Sequence, residues 1–290
     1  FQKGCLLMVI HALSFFDTLS NLGDFFSGEA FFESAGYIWN ALLKMANSIL
    51  TDNITTGEYE EIWQRVKSLY VTFNALSCTL LVLFFLYGYC RDSFDIKGNI
   101  NFITAMKLMI RLAVTTNAMS FALTMMPKLF RIARLLAKLI SGDEAYGFFF
   151  DGAKIYEDIS SGNNGVMLCF ITSIVFFFFT IACGFFLVQP VLLRMMKLYM
   201  LAPFCGIALS TMAAGGQVSQ TGYSFIRSFL GTVFSAVLIA LVLSLSSSFI
   251  DTISVKTEEA IVRLLIYCLK MTSISASVKT VDSLMQKAFN

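Results

Sequence analysis

Lys107 and Arg111 stand one helical turn apart inside an apolar stretch, about 103–126, and share a face with Thr104 and Thr115. A charged strip inside such a stretch is the expected lining of a pore or an anion path, a polar interior strip. Both residues also sit in its first half, where long basic side chains snorkel to headgroups. Lys128, Arg131, Arg134 and Lys138 follow Pro127, with Leu129, Phe130, Ile132, Leu135, Leu136, Leu139 and Ile140 in the intervening positions. This basic amphipathic helix suits attachment to anionic headgroups, and the same four side chains suit contact with nucleic-acid phosphates. Arg194 and Lys197 form a further basic pair between two apolar runs.

The residues of most enzyme sites are missing from this pattern. The chain has no G-x-x-x-x-G-K-[ST], no H-E-x-x-H and no G-x-S-x-G. His11 is the single histidine, which excludes a metal site built on several His ligands. Seven cysteines (Cys5, Cys78, Cys90, Cys169, Cys183, Cys205 and Cys268) are scattered, with no C-x-x-C pair, and most lie in apolar runs where they read as small hydrophobes. The five spans assigned below carry no Asp or Glu, which disfavours an intramembrane protease or an ion-coupled transporter. No catalytic role, no metal and no cofactor are expected.

The elements that must position these charges are membrane helices. From Asp158 to Arg194 the chain carries no charge beyond those two ends, far more than the roughly 20 residues a bilayer core needs. Composition agrees, with 57% hydrophobic and 14% charged residues, and a mean hydropathy of +0.74. Soluble domains are about 25% charged. The expected fold is therefore all-α, a polytopic helical membrane protein. The formal net charge of +2 is too small to argue for bulk nucleic-acid binding.

Five spans are expected, at about 68–90, 103–126, 165–189, 198–214 and 228–250, within a membrane domain running from 62 to 290. The fourth is short, carries Pro203 and ends at Gly215-Gly216, so it reads as tilted, bent or re-entrant. In the fifth, Ser228, Thr232, Ala236, Ala240, Ser244 and Ser248 recur every fourth residue, a helix-packing face or subunit interface. Segment 259–285 aligns Glu259, Arg263 and Lys270 on one face and is either interfacial or a sixth span with an inward polar stripe. Residues 1–61 form a distinct region in which Ile38, Leu42, Met45 and Ile49 predict an amphipathic helix on the membrane surface or on a partner helix, with Ser34 as its start signal. Residues 141–164 read as an acidic, polar connection ending in a Ser-Gly-Asn turn. The chain opens on Phe1 rather than Met, so its natural start is expected upstream. Cys5–Ile10 is too short to span, and Lys3 is a thin basic lead for a signal segment. Basic residues divide over the orientations: Arg91, Lys97, Arg194, Lys197, Lys256 and Arg263 favour an outside N-terminus, whereas Lys128 to Lys138 favour the reverse.

From Gln189 the chain reads Q-P-V-L-L-R-M-M-K-L-Y-M-L-A-P-F-C-G-I-A-L-S, then a glycine break, then G-Y-S-F-I-R-S-F-L-G-T-V-F-S-A-V-L. This resembles the polytopic inner-membrane subunit of type IV secretion and conjugation machines, the TrbL-like (Vir-B-six-like) family. Arg194, Leu201, Ala202, Pro203 and Arg227 are the matching positions, with Lys197 at the same span junction, and the likeness extends over about 35–285. The short connection 141–164 and the lack of a long C-terminal domain depart from the family pattern.

The resemblance implies a channel or platform subunit in the bacterial cytoplasmic membrane, with an outside N-terminus, as part of a homo-oligomer. Its implied partners are cytoplasmic ATPases, a stalk or pilus component, other secretion subunits, single-stranded DNA and membrane lipid. The competing expectations are a stand-alone permease for an anionic solute, built on Lys107 and Arg111, and a membrane scaffold of another secretion system.

Overall fold

A computed structural model describes residues 28–95, 102–141, 147–160, 166–252 and 260–289. His11, the Cys5–Ile10 stretch, Lys97, Lys256, Glu259 and the turn at 161–164 lie outside the described residues. Those described fold into helices α1 (Glu29–Thr51), α2 (Glu60–Asp95), α3 (Phe102–Ser141), α4 (Gly152–Ser160), α5 (Val166–Ser210), α6 (Gly216–Thr252) and α7 (Ala260–Phe289), with 3-10 turns at Gly57–Tyr59 and Thr211–Ala214. No strand occurs among them. Five helices, α2, α3, α5, α6 and α7, are long and apolar enough to cross a membrane, and the chain is a multi-pass membrane protein.

Three expected boundaries are corrected. Pro127 does not end the second span, because α3 runs 40 residues through it. The spans expected at 165–189 and 198–214 are one helix, the 45 residues of α5, with Pro190 and Pro203 inside it. Proline removes one N–H and crowds the carbonyl four residues back, which bends a helix but ends it only where packing also stops. Here packing continues. On α3 the buried stripe Met126, Phe130, Ala133, Ala137 passes Pro127, and on α5 Leu187, Val191, Leu198, Ala202, Cys205 and Leu209 pass both prolines. The segment 259–285 takes the vacated place as the fifth candidate span. The third correction is at α1, which starts at Glu29, before Ser34. Gly28 precedes it at φ 82, a left-handed position, and the Glu29 carboxylate lies in the first turn, where it complements the helix dipole.

The chain divides into two compact units. The first comprises Phe1–Asp52, Leu136–Leu192 and Ala236–Val281, and the second Asn53–Leu135, Leu193–Ser235 and Asp282–Asn290. In the first, α1 buries Phe32, Ala35, Trp39, Leu43, Ala46 and Leu50. It packs inside the protein, on α4 and the segment before it. The Trp39 indole N–H donates to the Phe148 carbonyl at 2.7 Å. The Asn40 side chain satisfies both main-chain groups of Phe150, donating at 2.9 Å and accepting at 3.3 Å. Part of the connection expected to be an irregular loop is thus an ordered strap, with its exposed backbone groups paired.

The polar stripe of α7 serves the same strap. Arg263 pairs with the Asp158 carboxylate at 3.1 Å and donates to its carbonyl at 3.2 Å. The Lys270 ammonium stands 5.5 Å from the Phe148 ring centre. The opposite side of α7 meets α5, where the Ser275 hydroxyl donates to the Cys183 carbonyl at 2.8 Å.

In the second unit, α2 packs on the end of α5 through small residues, as close helix approach in lipid requires. Gly206 lies against Ser77 and Asn74, and Gly88 lies against the Ala214 main chain. Phe73 and Phe204 close the contact, with ring centres 4.8 Å apart. Tyr70 donates to the Met119 carbonyl and Tyr199 to the Ile54 carbonyl, each at 2.8 Å.

Candidate functional site

Two polar constellations occur in the second unit. The first surrounds Arg194, which is 3% exposed midway along α5. Its guanidinium donates to the Thr232 carbonyl at 3.1 Å and the Val233 carbonyl at 3.2 Å, both on α6. Arg194 shares the Thr232 carbonyl with the Ser235 hydroxyl, which donates to it at 2.8 Å. Lys197, one turn further on α5, pairs with the Asp282 carboxylate of α7. Asp282 also acts electrostatically on Arg194. A charge removed from water costs several kcal/mol unless its donors are satisfied, and this geometry supplies two acceptors and one nearby anion. Arg194 is therefore a clamp between α5 and α6. Pro203 and Ala202 are buried on the same helix, while Arg227 on α6 is exposed.

The second constellation is a cleft of about 390 Å³ lined by Lys107, Ile110, Arg111, Thr115, Ser219 and Tyr223, among others. It is made by the early turns of α3, the turn between α5 and α6 and the start of α6. Gly215 and Gly216 connect α5 to α6 at φ 68 and 56, both left-handed. A Cβ at Gly215 would collide with the Arg111 guanidinium, and one at Gly216 with that of Arg91. Glycine is favoured at both by the left-handed backbone, and a side chain there would also displace the two guanidinium groups. Arg91 donates to the Gly215 carbonyl at 3.0 Å and pairs with Asp92 at 2.6 Å. Arg111 stands 3.7 Å from the other Asp92 oxygen, beyond hydrogen-bond range, and its buried Nη1 donates to nothing among the described residues. Lys107 is exposed, and no carboxylate among the described residues pairs with it.

Lys107 and Arg111 thus share a wall, as their spacing predicts, near the end of a span. Asp92 and the two glycines complete the place and were not foreseen. The signal lay in Gly215-Gly216 standing next to a helix start, but their arginine partners come from about a hundred residues away in sequence. Lys128, Arg131 and Lys138 are exposed and Arg134 is half-buried. On the small-residue face of α6, Thr232, Ala236 and Ala240 are buried, Ser244 is half-buried, and Ser228 and Ser248 are exposed. Among the described residues no group of His, Cys, Asp and Glu is arranged to hold a metal ion.

No family model, no curated protein and no solved structure matches this chain.

Proposed function

We propose that this protein is a structural subunit of a type IV secretion platform in the bacterial cytoplasmic membrane, working with cytoplasmic ATPases and a stalk or pilus component. The observation that supports this is the Arg194 junction. Of the positions that carry the resemblance, Arg194, Ala202 and Pro203 are buried in helix packing. Positions used in that way hold helices in register, the task of a platform rather than of a catalyst. The exposed Lys128 and Arg131 suit a passing phosphate backbone. Deleting the gene in a conjugative donor should abolish DNA transfer while growth continues, and normal transfer would refute the proposal. Exchanging Lys128, Arg131, Arg134 and Lys138 for Gln should lower DNA crosslinking during transfer. Unchanged crosslinking removes single-stranded DNA from the partners.

The cleft at Lys107 and Arg111 favours a second reading, a stand-alone permease for an anionic solute. Uptake of such a solute by liposomes holding this chain alone would select that reading over the platform.

A further inference from the structure

Among the described residues, the cleft carries more positive than negative charge, and the platform reading makes no use of it. Lys107 and Arg111 line the cleft, and the one described carboxylate near either, Asp92, pairs with Arg91 and stands 3.7 Å from Arg111. Among the described residues no anion pairs with Lys107, and Arg111 Nη1 keeps an unused donor. Tyr223 adds a hydroxyl, and α6 begins here, so its dipole adds to the positive potential. Such a group suits a phosphate, which takes several charge-assisted hydrogen bonds at once.

The cleft wall is not polar throughout. Ile110 and Val114 line it and are 54% and 57% exposed. Phe121, 58% exposed, stands one heptad beyond Val114, which itself stands one heptad beyond Lys107. One face of α3 thus leads from the basic cleft along a mainly apolar strip, interrupted by Asn117, whose amide donates to the Ala113 carbonyl at 2.8 Å. From Lys107 to Phe121 the helix rises about 21 Å, more than the roughly 15 Å of one hydrocarbon leaflet. A free anion has no use for that strip, whereas an amphiphile fits both parts.

We propose that this cleft binds an anionic phospholipid, its phosphate between Lys107 and Arg111 and its acyl chains along Ile110, Val114 and Phe121. The lipid ties the start of α3 to the α5–α6 junction through its headgroup. The site does not depend on the secretion role, and its test uses the isolated chain, so either idea can fail alone.

The experiment is native mass spectrometry of the full chain released from nanodiscs of equal parts phosphatidylcholine and phosphatidylglycerol. Wild type should retain phosphatidylglycerol over phosphatidylcholine. Lys107→Gln, an exposed position whose change leaves the fold intact, should reduce that enrichment about fivefold, and Lys107→Arg should keep it. Lys279→Gln, at an exposed lysine of α7, should leave it unchanged. Equal retention of the two lipids, full enrichment in Lys107→Gln, or an equal loss in Lys279→Gln would overturn the proposal. Complete displacement of the lipid by millimolar inorganic phosphate would overturn it too, by showing that the apolar strip adds nothing.

Discussion

At the scale of single residues, the informative groups are charges whose partners lie far away in sequence. Asp282 faces two cations, Lys197 directly and Arg194 through space. Removing its charge strands both, whereas removing Lys197 leaves Asp282 to balance Arg194. Asp282→Asn should therefore lower stability by about 1–3 kcal/mol, and Lys197→Gln, at a partly exposed pair, by about 1 kcal/mol or less. Thermal midpoints in detergent, followed by intrinsic fluorescence, check the order, and a larger loss for Lys197→Gln would refute it. Arg194 was visible in the sequence as a charge between two apolar runs. Its acceptors were not, because main-chain carbonyls carry no signal in residue type. Asp282 was hidden differently: it lies near the end of a segment with both polar and apolar faces, where one carboxylate looks like ordinary surface.

At the scale of elements, helix continuity and close helix contacts decide the architecture. The buried stripe of α3 crosses Pro127, so packing carries the helix through the proline. Pro127→Ala restores an N–H and should leave the thermal midpoint unchanged or raised. A fall would mean that the proline itself is needed for packing. The contact of α1 with α4 is tighter. A Cβ on Gly152 would overlap the Phe32 carbonyl, and one on Gly36 would come within 2.9 Å of the Gly152 nitrogen. Gly152→Ala should cost about 1–3 kcal/mol, as overpacking does. Gly57 offers a comparison, because it has positive φ but open space around its Cβ position. Gly57→Ala should cost about 1 kcal/mol, from backbone strain alone. Midpoints for the two variants separate clash from strain, and equal losses would remove the close contact as the cause.

At the scale of the whole molecule, joining two expected spans into α5 and adding α7 keeps the number of crossings near expectation while changing their order. If α5 crossed twice, positions near 145 and 217 would share a side. With a single crossing, positions near 95 and 217 share one side and those near 145 and 255 the other. The hydrogen bond from Arg91 to the Gly215 carbonyl agrees with the second arrangement. Single cysteines at these positions, in a background lacking the native ones, should label from opposite faces in those pairs. Labelling of 145 and 217 from the same face would refute a single crossing by α5.

Composition and the uncharged stretch after Asp158 were enough to determine a polytopic helical membrane protein, because burial in lipid demands apolar length and internally paired backbone. Periodicity was enough to determine the amphipathic faces of α1 and of α3 after Pro127, because side-chain direction within a helix follows residue number. Only the tertiary structure decided whether a proline stops a helix, which carbonyls receive Arg194, what Asn40 and Trp39 hold, and that Arg91 meets the Gly215 carbonyl while Asp92 stands beside Arg111. Each of these depends on groups tens to more than a hundred residues apart, and periodicity extends no further than the helix that carries it.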